Sequence, residues 1–233
     1  VLVNIFNIHR IIRSMEPLLP DVAVPVWKLF KRTYGDIFIS DSEIEKRIFL
    51  FSTYSYSDIT VLTNIYKNTK NVQNLVHAVK DPMVTNEDIY KVTLAPVGVK
   101  RKPRTELEVK VAIRCILDAL VALHELGYVH RDIRWDNILQ LNDYSWILID
   151  LECAGVDGES VHFDLKGWAP EAIETKVYTT KADVYMVGRL LRRVFITFSE
   201  EARAFERATT EFRLTAQEAR QHSWLSDIRD YTK

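Results

Sequence analysis

The chain has 233 residues, 47% of them hydrophobic and 27% charged, with a formal net charge of −1; these are the proportions of an ordinary folded protein of one domain or two lobes. Near-neutrality supplies no electrostatic footprint for nucleic acid or an anionic membrane, and no apolar run approaches the roughly 18 residues of a membrane span, so neither is expected as a partner. Cys115 and Cys153 form neither a disulfide framework nor a metal pattern, which makes an intracellular location, cytoplasmic or nuclear, the default.

The chain begins at Val1 rather than Met, so an upstream piece is expected and secretion stays open. Residues 2–15 place Leu2, Ile5, Phe6, Ile8, Ile11, Ile12 and Met15 at helical spacing before Pro17. Three strands are expected over 22–31, 37–40 and 47–52, the first two joined by Tyr34-Gly35-Asp36. A helix over 58–68 carries Ile59, Leu62, Ile65 and Tyr66, and two more strands cover 72–79 and 89–94. Ala95-Pro96-Val97-Gly98 and the basic run at 100–104 then mark a hinge.

Helices dominate beyond it. Residues 106–126 form one broad apolar stripe that Gly127 closes. A hairpin over 138–141 and 146–149 turns at Asn142-Asp143, and later helices cover 181–198, 200–209 and 215–227. The expected class is α+β: an N-terminal helical extension at 1–19, a small strand-rich lobe at 20–94 and a helical lobe at 95–233.

The chemistry concentrates in HRDIRWDN, residues 130–137, and in Asp150, eighteen residues after Asp132 at the end of WILID. Phosphoryl transfer asks a protein to position two substrates, hold magnesium and orient one proton. Asp132 lies in a loop after a helix and strand, where its carboxylate can face a hydroxyl. Asn137 offers a neutral oxygen suited to a hard cation. Asp150 ends an apolar strand, where a carboxylate is costly without a cation or donor. Singly each would be a turn acid or cap; at this spacing they form a site.

The chain here resembles the protein-kinase superfamily, over roughly residues 20–228. The resemblance implies a two-lobed protein kinase-like fold with a small antiparallel-sheet N-lobe and a helical C-lobe. It implies Asp132 as catalytic base and Asn137 and Asp150 as magnesium ligands. Arg134 falls where serine/threonine kinases carry a lysine touching the transferred phosphate. Ala169-Pro170-Glu171 resembles the family's APE motif, Asp183 its buried helix acid, and Arg213 the partner of Glu171. ATP would lie under the hinge at Thr93, Ala95 and Val97. TLAPVGV, HELGYVHRDIRWDNIL and WILIDLECAG together look closest to divergent fungal protein kinase-like domains, including those attached to crinkler-type effectors. The implied activity is ATP- and Mg2+-dependent transfer to a serine or threonine hydroxyl of an unidentified protein. The alternatives are an inactive pseudokinase serving as a nucleotide-binding or scaffolding module, and a small-molecule phosphotransferase.

The small lobe departs from that pattern. Gly35 is the one glycine in the first strand-to-strand turn, where the family carries a glycine-rich loop. The candidates for the family's phosphate lysine are Lys46, which is preferred, and Lys28, and a third register would place Phe51 there; all three stay open. Asp58 is either the stand-in for the family's helix glutamate or a helix N-cap. Glu152 replaces the family's usual glycine and is either an extra metal ligand or solvent-facing. Trp135 and Trp168 either line a substrate groove or pack inside. His124 is expected to pack near the core, and His130 to brace Leu151 and the loop.

Overall fold

The computed structural model describes residues 28–32, 34–50, 58–163 and 167–230. The helix expected over 2–15 lies outside them, as do residues 22–27 and 51–52 of the first and third expected strands. Among the described residues the N-terminal region is an antiparallel sheet of β1 (Lys28–Arg32), β2 (Gly35–Ile39), β3 (Ile44–Phe49), β4 (His77–Ala78), β5 (Met83–Val84) and β6 (Ile89–Ala95). The spatial order is β1-β2-β3-β6-β4, with β5 also on β6. Helix α1 (Ile59–Asn68) buries Leu62, Ile65 and Tyr66. Asp58 caps it, its carboxylate accepting from the N–H groups of Thr60 and Val61.

The larger region is built on α2 (Glu106–Glu125), which Thr105 caps and Gly127 closes at φ +79. Ten of its residues are buried, among them Val109, Ile113, Ile116, Leu120 and Leu123; each such side chain contributes about 1.5–3 kcal/mol by leaving water. Around it lie β7 (Tyr128–Val129), β8 (Ile138–Asn142), β9 (Ser145–Leu148), β10 (Gly155–Val156), α3 (Pro170–Thr175), α4 (Thr180–Leu190), α5 (Glu200–Glu211) and α6 (Ala216–Arg220). The protein is thus an α+β fold with a sheet-rich N-terminal region and a helical C-terminal one. No helix among the described residues is long and apolar enough to cross a membrane.

Three expectations need correction. The strand expected over 72–79 survives only as β4, because Asn74 takes a left-handed φ of 59 and Val76 donates to the Leu148 carbonyl at 2.9 Å. That stretch ties the two regions together instead of extending the sheet. The helix expected over 181–198 ends at Leu190 plus one 3-10 turn, Leu191–Arg193. Ser199 then caps α5, its N–H and hydroxyl donating to Glu106 at 2.8 and 2.6 Å, and reaching Glu106 needs an extended approach. The expected helix over 215–227 is α6, with a capping box of Thr215 and Glu218, followed by a 3-10 segment, Ser223–Asp230.

Candidate active site

β7 leads out of α2 into the HRDIRWDN loop, and the loop is held from below. Asp183 on α4, fully buried, accepts the N–H groups of His130 at 2.7 Å and Arg131 at 2.9 Å. It also meets His124 Nε2 and the Tyr178 hydroxyl, each at 3.0 Å. Burial alone would raise the Asp183 carboxyl; its bond to His124 and the backbone N–H of His130 outweigh that and hold it below its ordinary value. Arg131 is thereby kept at φ 70, a conformation that costs a non-glycine residue about 1–3 kcal/mol and persists only where the surroundings impose it. His130 Nε2 meets the Ile149 carbonyl at 3.0 Å, one residue before Asp150 rather than at Leu151.

Above that base, Asn137 donates its side-chain amide to the Asp132 carboxylate at 2.7 Å and to its carbonyl at 2.9 Å. The amide nitrogen faces the acid, so the other edge of the side chain presents an oxygen. Arg134 lies 3.1 Å from the same carboxylate and is half exposed. Asp150 follows β9 at φ 72 and ψ 71 and leads into a 3-10 turn, Leu151–Cys153, whose Leu151 and Cys153 are buried.

Of the candidate lysines, Lys46 is the one that lines the cleft. It sits centrally in β3, opposite Ile37 and Val92, and is 8% exposed. Its Nζ donates to Asp150 Oδ1 at 2.6 Å and to Glu152 Oε1 at 2.7 Å. Burial opposes the charge on both Lys46 and Asp150, and their attraction wins: the carboxyl falls to about 2 and the ammonium rises above its usual range. A cleft of about 250 Å³ brings together Lys46, Asp132, Arg134, Asp150, Glu152 and Cys153, with Arg32, Tyr34 and Gly35 over it. Lys28 lies at the start of edge strand β1, and Phe51 lies outside the described residues.

Thr93, Ala95 and Val97 are not among the residues lining this cleft. Thr93 is buried in β6, its carbonyl accepting from Val79 N–H at 2.8 Å, and Ala95 pairs with His77. Val97 follows β6, just before Val99 bridges Gln140. Both tryptophans pack inside: Trp135 donates to the Leu190 carbonyl at 3.0 Å and Trp168 to the Arg131 carbonyl at 2.6 Å. Glu171 pairs with Arg213 at 2.7 Å, as the motifs implied.

Three site contacts escaped the sequence reading. His124 is a partner of Asp183, not merely a packing residue, and its position six residues before His130 carries no recognisable signal. Tyr178 also reaches Asp183, from just before α4. Glu152 pairs with Lys46, 106 residues away, a relation that no local pattern encodes.

A family model described as the protein kinase domain matches residues 39–205, and the chain belongs to that family. Crinkler effector protein 8 of Phytophthora infestans is 34% identical over 119 residues, covering 48% of this chain and 20% of that protein. Serine/threonine-protein kinase cst-1 of Caenorhabditis elegans is 39% identical over 95 residues, 38% of this chain and 19% of that protein. The human hormonally up-regulated neu tumor-associated kinase is 30% identical over 149 residues, 54% of this chain and 21% of that protein. The chain therefore spans about a fifth of the length of these relatives.

Proposed function

We propose that this chain transfers the γ-phosphoryl group of ATP to a serine or threonine hydroxyl of a protein. The observation that carries the reading is the convergence on one cleft of a restrained acid, Asp132, and a buried lysine–carboxylate pair, Lys46 and Asp150. Asp132 is held by Asn137 and Arg134, so its carboxylate is pre-aimed at an acceptor hydroxyl, whose proton it orients and accepts. Lys46 carries its charge to the cleft floor, where phosphate oxygens would replace one of its carboxylates. Arg134 offers a planar fork to the transferred group beside Asp132.

Asp150 and Asn137 present only hard oxygen donors, and Asp150 is held ionised; that donor set fits Mg2+. When bound there, the ion would neutralise charge on the phosphate oxygens. Ala95 and Val97, at and beyond the end of β6, would border the adenine outside the cleft that Lys46 and Asp150 line, with Thr93 buried in the strand behind them. A protein acceptor is favoured over a metabolite by the likeness to the serine/threonine kinases.

The second reading, a nucleotide-binding or scaffolding pseudokinase, is favoured by one observation. Lys46 is engaged by two carboxylates, under a turn with a single glycine. The two readings separate in one experiment: phosphate transfer from labelled ATP with Mg2+ to the protein itself and to a generic protein acceptor. Asp132→Asn should lower turnover by about 10²–10⁴-fold while nucleotide binding persists. Undiminished turnover in that variant sinks the kinase assignment, and binding without transfer in the parent protein selects the pseudokinase.

A further inference from the structure

Lys46 has two carboxylate partners, and the proposed chemistry needs one of them elsewhere. Asp150 is the residue that would hold the cation, so its bond to Lys46 must yield to the metal. Helix α1 has no replacement to offer. Its sequence, ITVLTNIYKN, contains no acid, and the exposed Asp58 is occupied in capping it, with Thr60 N–H at 2.6 Å. The helix instead presents Tyr66, fully buried, its hydroxyl without a hydrogen-bond partner among the described residues. Tyr66 lies close enough to Lys46, Glu152 and Asp150 to interact electrostatically with each.

The carboxylate missing from the helix is found on the turn after Asp150. Glu152 reaches Lys46 Nζ at 2.7 Å from a 3-10 turn pinned by buried Leu151 and Cys153 and closed by Ala154 N–H on the Leu151 carbonyl at 3.0 Å. A lysine has four rotatable bonds, and a fixed carboxylate behind its ammonium restricts the positions that the charge can adopt.

We infer that Glu152 is the positioning residue for Lys46, keeping its ammonium directed at the phosphate oxygens once Asp150 has turned to the cation. The inference rests on the phosphoryl-transfer reading. It makes one short turn responsible for both the metal-binding acid and the orientation of the phosphate lysine. The orientation of Lys46 then depends on the 151–153 turn rather than on an acid of α1. It also gives Glu152 a role that is neither extra metal ligand nor solvent-facing surface.

The test has two arms. The first needs no nucleotide: thermal melting of the parent chain, Lys46→Met, Glu152→Gln and the double variant. Glu152→Gln should lower Tm in the parent, and should be neutral or raise Tm in the Lys46→Met background, where an unpaired carboxylate is being removed. Strict additivity overturns the inference.

The second arm is steady-state kinetics with ATP and Mg2+ varied independently. Glu152→Gln should lower kcat about 10- to 100-fold, the scale of a lost charge-assisted hydrogen bond. The Mg2+ concentration giving half-maximal rate should stay at its parent value. Activity recovered by raising Mg2+ would identify Glu152 as a metal ligand and overturn the inference, as would a kcat equal to the parent's. If the parent chain shows no turnover, the phosphoryl-transfer reading fails by itself, and the melting cycle still decides whether Glu152 holds Lys46.

Discussion

Asp183 on α4 accepts the backbone N–H of His130 on the HRDIRWDN loop at 2.7 Å. A helix carboxylate thus fixes the loop that carries Asp132, two residues further on. The same carboxylate takes three more donors, from Arg131, His124 and Tyr178. Removing it strands all four in the core, so Asp183→Ala is expected to cost about 3–5 kcal/mol, the range for breaking a buried charged network. Urea unfolding at pH 7 measures it.

The same residue has a pH signature. Its folded-state carboxyl lies below the ordinary value of 3.8. The stabilisation is therefore complete above the unfolded value and is lost as pH falls through the folded one. Asp183→Asn should be less stable than the parent at pH 7, and the gap should narrow as unfolding is repeated at pH values falling progressively below 3.8. A gap that holds constant over that range would contradict the assignment of an ionised Asp183.

Asn137 bridges the side chain and the carbonyl of Asp132. Asn137→Ala removes both bonds and one proposed oxygen donor to Mg2+. Stability should fall by about 1–3 kcal/mol, and the Mg2+ concentration for half-maximal rate should rise. A stability loss with an unaltered Mg2+ requirement would leave Asn137 as a brace for Asp132 and remove it from the metal site.

Gly35 answers to a close approach in the sheet. It pairs with Ile48 across β2 and β3, and a Cβ there would collide with the Arg47 carbonyl oxygen. Gly35→Ala should destabilise by about 1–3 kcal/mol through overpacking against backbone. The defect should show in thermal melting without added nucleotide. An unchanged Tm with weakened ATP binding would instead assign the glycine to phosphate contact.

Cys153 sits at the cleft beside three acids. Burial first, then the charges of Asp132, Asp150 and Glu152, push its thiol far above its ordinary value. The thiolate is the reactive form, so iodoacetamide at pH 8 should label Cys153 far more slowly than an exposed thiol. Mass spectrometry of a labelling time course reads the rate directly. Rapid labelling would mean that the turn after Asp150 opens to solvent.

The elements that were legible are those with long, strongly periodic sequence. The stripe of Val109, Ile113, Ile116 and Leu120 marked α2 nearly to the residue, because helix length and one-sided burial both show in local spacing. The two-residue strands β4, β5, β7 and β10 were opaque, since two residues cannot display a period and their pairing is set by distant neighbours. Lys46 was open among three registers for the same reason. Lys28 and Lys46 lie on different strands, and which strand runs through the interior of the sheet is set by pairing with β6, far along the chain.

For this protein, the residues alone determined the candidate reacting groups: Asp132, Asn137 and Asp150 stand at a spacing legible in the chain, and each is local to a loop or a strand end. Tertiary structure decided who serves them. Asp58 became a cap because the helix N-terminus lay within reach of its carboxylate, and Tyr66 is buried on the same helix. Lys46 found Glu152 across 106 residues of chain. An ion pair depends on distance in space and on the dielectric around it, and neither is written in the order of residues along the chain.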